Sequence, residues 1–207
     1  MPTYRTDEQL EEIGRNFLRN LGLEDQVRPD MMTVIMKLKH VVPNFNYRRV
    51  PDAKMVRAEA EWSSEDFELS MRESVFVGMQ RGDVRCRFAV SHELSHYALG
   101  HKGYRNRKTQ DFQKDLSSPS VKHEETEANR LAAIILAPEH LIPEGATADE
   151  ISLTFGLSLA AAHIRKDEID RIRRRRRGEL RPLPASVVEF LKEAKRKGLN
   201  IQTKLDE

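Results

Sequence analysis

Residues 87–101 read Arg-Phe-Ala-Val-Ser-His-Glu-Leu-Ser-His-Tyr-Ala-Leu-Gly-His, which sets His92, Glu93 and His96 in the pattern H-E-x-x-H. Four residues on a helix make just over one turn, so His92 and His96 project from the same face. Two neutral imidazoles at that spacing can share one tetrahedral zinc ion. Glu93 follows His92 directly and lies near the open coordination position, where a carboxylate can take a proton from an attacking water. Phe88, Ala89, Leu94, Ala98 and Leu99 make the segment otherwise apolar, which predicts a buried helix. Buried imidazoles and a buried carboxylate need a reason to be there. Metal-assisted hydrolysis supplies one.

Such a site needs a third protein ligand. His101 is the nearest candidate. The metzincin pattern would put Gly and His where this chain has Leu99 and Lys102, so Gly100 and His101 are each one position off. His101 is then explained by the helix dipole or by solvent. Glu125 is the better candidate, on the next strongly helical segment. Glu125 and Asn129 have the E-x-x-x-N spacing of gluzincin-type sites. Both lie beside Ala128, Ala132 and Leu136, a small-residue face that lets this helix come close to the first. Asn129 is placed to bond a ligand histidine. Glu127 sits about 200° round the helix from Glu125 and points elsewhere. Glu124 and Glu127 read as acids favoured at a solvated helix start.

Capping and periodicity outline the elements that must position these residues. Thr6-Asp7-Glu8-Gln9 is a capping box; Leu10, Ile13, Phe17 and Leu21 follow at helical spacing, and Gly22 closes the helix. Asp30 caps a second helix through about His40. Phe45 to Val50, Phe67 to Met71 and Ser74 to Met79 read as extended, which predicts a small antiparallel sheet. The motif helix should run from about Val84 to Leu99 and stop at Gly100. Lys102 to Pro119 reads as a surface loop, and the Glu125 helix as about Val121 to Leu136. A second capping box, Thr147 to Glu150, opens two helices hinged at Gly156. A last helix runs from about Ala185 to Lys197.

The stretch R-F-A-V-S-H-E-L-S-H-Y-A-L-G-H, followed by E-T-E-A-N-R-L-A-A-I-I-L-A-P, resembles the ImmA/IrrE family of intracellular metallopeptidases. The resemblance extends over roughly Glu8 to Ile169. It departs at Ser95, where relatives often have Gly, and at Ala137, where they often have Met. It implies zinc ligands His92, His96 and Glu125, with Glu93 as general base; independently of the resemblance, manganese could replace the zinc. The implied fold is α+β, a mainly helical gluzincin-like core with a small antiparallel sheet, followed by a helix-turn-helix-like helical segment. It implies an endopeptidase that cleaves a DNA-binding repressor of the Xre type and so relieves repression, in stress responses among other settings. The alternatives are an anti-repressor that does not cut and a DNA-binding regulator.

On this reading residues 1–145 form the metallopeptidase-like domain and 146–207 a helical C-terminal segment, helix-turn-helix-like at 148–170. A DNA reader presents polar side chains early in its second helix. Here Leu159, Ala160, Ala161 and Ala162 stand there, a face suited to packing. Arg173 to Arg177 are consecutive arginines that could contact DNA phosphates or dock an acidic partner. Over its 207 residues the chain is 39% hydrophobic and 33% charged, with a formal net charge of +2, so it is globular and no polycation. Cys86 is the sole cysteine, which rules out an internal disulfide and fits a reducing compartment. Arg85 and Arg87 beside it could lower its pKa, against the plainer role of a small residue at a helix start. With no signal-peptide pattern and no apolar run longer than Leu131 to Ala137, a cytoplasmic protein without membrane contact is expected.

Overall fold

The structure is a computed structural model that describes residues 5–101, 119–179 and 183–197. Along the chain come α1 (Asp7–Asn20), α2 (Met31–Val41), β1 (Asn46–Val50), β2 (Ala60–Ser63), β3 (Glu68–Arg72), α3 (Glu73–Gln80) and α4 (Val84–Leu99). There follow α5 (Pro119–Leu136), α6 (Ala148–Phe155), α7 (Leu159–Arg176) and α8 (Ala185–Arg196). The fold is α+β and mainly helical. Among these residues no helix is long and apolar enough to cross a membrane.

Local chemistry sets the helix starts. Thr6 and Gln9 form a reciprocal capping box on α1, as Thr147 and Glu150 do on α6. The Asp30 carboxylate accepts from the Thr33 N–H at 2.8 Å and opens α2. Asp83 does the same for α4 through the Cys86 N–H, also at 2.8 Å.

The sheet differs from the antiparallel one expected. Its order is β1-β3-β2; β2 pairs antiparallel with β3, but β1 pairs parallel. The third extended segment expected, Ser74 to Met79, is instead most of α3. Val75, Phe76 and Met79 fall on one helical face and are 2%, 8% and 1% exposed, a three-and-four spacing that the β-branched composition disguises. The strand that completes the sheet is β2, four residues long and without a clean alternation. Of the expected loop Lys102 to Pro119, residues 102–118 lie outside the described residues.

The chain divides into two compact units, Met1–Ile169 and Asp170–Glu207. In the first, α4 and α5 make the most extensive contact, and α1 covers α5. Gly14 marks how closely α1 approaches, since a Cβ there would sit 2.5 Å from Ile134 Cγ2. Behind the sheet, Phe45 stacks on Trp62 at 5.8 Å between ring centroids, and Tyr97 of α4 meets the Trp62 ring edge-on at 5.2 Å. Of the second unit, the described part holds the end of α7 and all of α8.

Two buried arginines tie the later helices into the first unit. Arg87, in the first turn of α4, donates through Nη1 to the carbonyls of Phe155 at 3.0 Å and Gly156 at 3.2 Å. A guanidinium there satisfies the last carbonyls of α6 and faces the negative end of its dipole. Arg165 of α7 is wholly buried, pairs with Glu11 at 2.5 Å and donates to the Ala137 carbonyl at 2.9 Å. Arg130 pairs with Asp7 and Glu168 beside it. Of the positions expected to pack at the start of α7, Ala162 is buried, whereas Leu159 and Ala160 are exposed.

Gly156 is left-handed at φ 66°, and a Cβ on it would lie 2.2 Å from Arg87 Nη1. Gly156→Ala should therefore cost the left-handed penalty and displace the arginine cap, about 2–4 kcal/mol together. Gly145 has φ 76° with nothing within 4 Å of a built Cβ, so Gly145→Ala should cost only about 1–2 kcal/mol. Thermal unfolding followed by circular dichroism checks the difference, with the larger drop expected at Gly156.

Candidate metal centre

α4 carries His92 and His96 one turn apart on the face that meets α5. That face is built from small groups. Ser91, Ser95, Ala128 and Ala132 are all 0% exposed. The Ser91 hydroxyl donates to the Ala132 carbonyl at 3.1 Å, and the Ser95 hydroxyl turns back to the Ser91 carbonyl at 2.7 Å. The helices can thus approach until Glu125 reaches both histidines.

His92 Nε2 and His96 Nε2 are 3.1 Å apart. Glu125 places one carboxylate oxygen 3.2 Å from His92 Nε2 and the other 3.5 Å from His96 Nε2. The three donors lie within 4.8 Å of one another and could hold a metal ion. A tetrahedral ion with bonds of about 2.0–2.1 Å has ligand atoms about 3.3 Å apart. The observed spacings bracket that edge, and two imidazoles with a carboxylate suit a borderline divalent metal. The donor set therefore fits.

Electrostatics bind the cluster together. Burial opposes charge on His92, but its hydrogen bond to the Glu125 carboxylate and the charges of Glu93 and Glu125 outweigh it and raise its pKa. Burial likewise opposes ionisation of Glu125, yet the two histidines hold its carboxyl well below the usual range. Asn129 lies one helical turn beyond Glu125 on α5. Glu93 differs in kind: burial dominates and pushes its pKa up. Its Oε2 accepts the Trp62 N–H of β2 at 2.7 Å. The aromatic packing that fixes Trp62 therefore also fixes the carboxylate, which leaves the other oxygen for a second partner.

Two residues that spacing excludes from the ligand set stand buried behind it. His101 is 7% exposed, so solvent does not explain it. Gly100 adopts φ 68°, the His101 N–H bonds the His96 carbonyl at 3.0 Å, and the Gly100 N–H bonds the Tyr97 carbonyl at 3.1 Å. This is a Schellman turn, which folds the second residue past the helix back onto the fourth from its end. His101 Nδ1 consequently lies 3.0 Å from His96 Nδ1. The signal was present as His96 followed by Gly100-His101. Burial and the His96 charge hold the His101 pKa down at about 4. Glu127 does point away from Glu125, but it is only 3% exposed rather than solvated. It receives the Arg5 guanidinium at 2.6 Å and the Arg5 N–H at 3.1 Å. No sequence periodicity announces Arg5, which precedes the first helix.

Of the tyrosines and histidines that could stabilise an oxyanion, Tyr97 packs in the aromatic cluster, and His123 pairs with Glu127 at 3.3 Å. Tyr104 lies outside the described residues. Cys86 sits in the first turn of α4, and burial pushes its thiol up to about 11, opposite to activation by the flanking arginines.

A comparison with curated proteins returns no match. Residues 51–165, more than half of the chain, match the family model described as the IrrE N-terminal-like domain, a peptidase family. The matched stretch contains both helices of the centre. The chain belongs to the ImmA/IrrE family of metallopeptidases.

Proposed function

We propose that this protein is a zinc-dependent endopeptidase whose substrate is a DNA-binding repressor of the Xre type. One observation carries the hydrolytic reading: His92, His96 and Glu125 converge at ligand spacing beside the half-buried Glu93. In this role His92, His96 and Glu125 would hold the metal. When bound, zinc supplies Lewis acidity at a peptide carbonyl and makes a water more acidic. Glu93 takes the proton of the attacking water and passes it to the leaving amine nitrogen. The Trp62 N–H keeps that carboxylate in place throughout. A raised pKa suits a group that must accept a proton and then give it up.

The surroundings suit an extended peptide. Among the described residues β2 is an edge of the sheet, and it packs against α4. A peptide can add to such an edge as a further strand. A cleft of about 1000 Å³ is lined by Glu59, Arg85, Phe88, Ala89 and Ser158, with Phe88 one helical turn before His92. The repressor as substrate is carried by family membership and not by a contact in this chain. Arg173 to Arg177 are the proposed docking element, for an acidic surface of the repressor in preference to DNA.

The purified protein should carry about one divalent ion per chain, lost in His92→Ala and in His96→Ala and measured by elemental analysis. Glu93→Gln should keep the metal and lose turnover by about 10²–10⁴-fold, because an amide cannot take the proton. A metal-free wild type that still cuts peptides would end the metallopeptidase reading.

Incubation with repressors encoded nearby, resolved by mass spectrometry, should give one discrete cut. Replacing Arg173 to Arg177 with Gln should slow that cut and leave hydrolysis of a short peptide unchanged. Equal rates on the repressor would remove the arginines from recognition.

A further inference from the structure

His96 uses its two ring nitrogens differently. Nε2 faces His92 and Glu125, while Nδ1 turns to His101 Nδ1 at 3.0 Å. A bond between two ring nitrogens needs one donor and one acceptor. If His96 Nε2 keeps its lone pair for a metal, its proton must sit on Nδ1, and Nδ1 donates. His101 Nδ1 then accepts, and the His101 proton is on Nε2. That nitrogen lies 3.5 Å from Glu127 Oε2, within ion-pairing distance. Glu127 is itself held by Arg5 and by His123. Each bond in the row runs in one direction, from His96 through His101 to the carboxylate.

We propose that His101 and Glu127 are positioning residues for the metal centre, a buried relay that fixes the tautomer and ring orientation of His96. The inference rests on the reading that His92, His96 and Glu125 hold a metal. Metal-ligating histidines commonly donate their second nitrogen to a carboxylate or a carbonyl. Here an imidazole is interposed, and the carboxylate acts from one residue further away. The burial of the row supports this role. His101 is 7% and Glu127 3% exposed, and a buried ion pair is by itself weak evidence of a stabilising role. The Schellman turn at Gly100 supplies the geometry. Its backbone bond from His101 to the His96 carbonyl stacks the two residues regardless of side chain, so the imidazoles meet without a further constraint.

Cobalt(II) alone, titrated into the metal-free full chain and followed by visible absorption, tests the relay. His101→Leu should weaken binding by about 10–100-fold and shift the absorption bands, with unchanged thermal unfolding of the metal-free protein. His101→Asn retains an acceptor near Nδ1 and should bind within about threefold of wild type. Glu127→Gln keeps shape but not charge and should fall between the two. A folded His101→Leu protein with wild-type affinity and bands overturns the relay. Should His101→Leu fail to fold, wild-type affinity and bands in Glu127→Gln overturn it instead. A wild type that takes up no cobalt overturns the metal reading itself, and the relay with it.

Discussion

Two helices meet here across serine and alanine. Ser91 and Ser95 on α4, with Ala128 and Ala132 on α5, expose nothing to solvent, and the Ser91 hydroxyl spans the gap to the Ala132 carbonyl. Helices with larger side chains at the contact sit farther apart within the usual 8–10 Å range. A carboxylate on α5 then could not approach two imidazoles on α4 to within 3.2 and 3.5 Å. The rest of the molecule braces this pair. α1 closes on the far side of α5 through Gly14, and the sheet reaches α4 through Trp62. Arg87 ties the start of α4 to the end of α6.

The buried charges follow a common rule. Each is matched at close range by groups of opposite sign or by carbonyl dipoles, and each joins elements distant in sequence. Arg87 meets the carbonyls of Phe155 and Gly156, Arg165 meets Glu11, and Glu127 meets Arg5. Breaking such a pair strands a charge in a poorly polarisable interior. Arg130 with Glu168 and Arg165 with Glu11 join the first part of α7 to α5 and α1.

What the sequence disclosed depended on whether a feature is local. The capping boxes at Thr6 and Thr147, the span of α4 and the stop at Gly100 are local, and they stand where spacing predicts. The convergence of Glu125 with His92 and His96 was legible because the small residues of α5 repeat at helical spacing. Parallel pairing of β1 with β3 was not, since nothing in either strand names its partner. α3 was obscured by valine and phenylalanine, residues common in strands. A position past a helix end suggests solvent for His101, and only the left-handed turn at Gly100 reverses that. Trp62 acts through its backbone N–H, which carries no residue code, and Arg5 stands before the first helix, outside any periodic pattern.

The bond between Arg5 and Glu127 spans 122 residues. Its effect can be followed in time, on the ribosome. At roughly 5–20 residues per second, about 6–25 s pass between synthesis of the first partner and the second. During that interval His92 and His96 are already made, but Glu125 follows His96 only twenty-nine residues later. A nascent chain holding the whole H-E-x-x-H segment therefore has two of three donors and lacks the Glu127 carboxylate behind His101. The centre is assembled only once α5 has left the exit tunnel and returned to α1. The third donor is thus missing from the emerging polypeptide until more than half of it has been made.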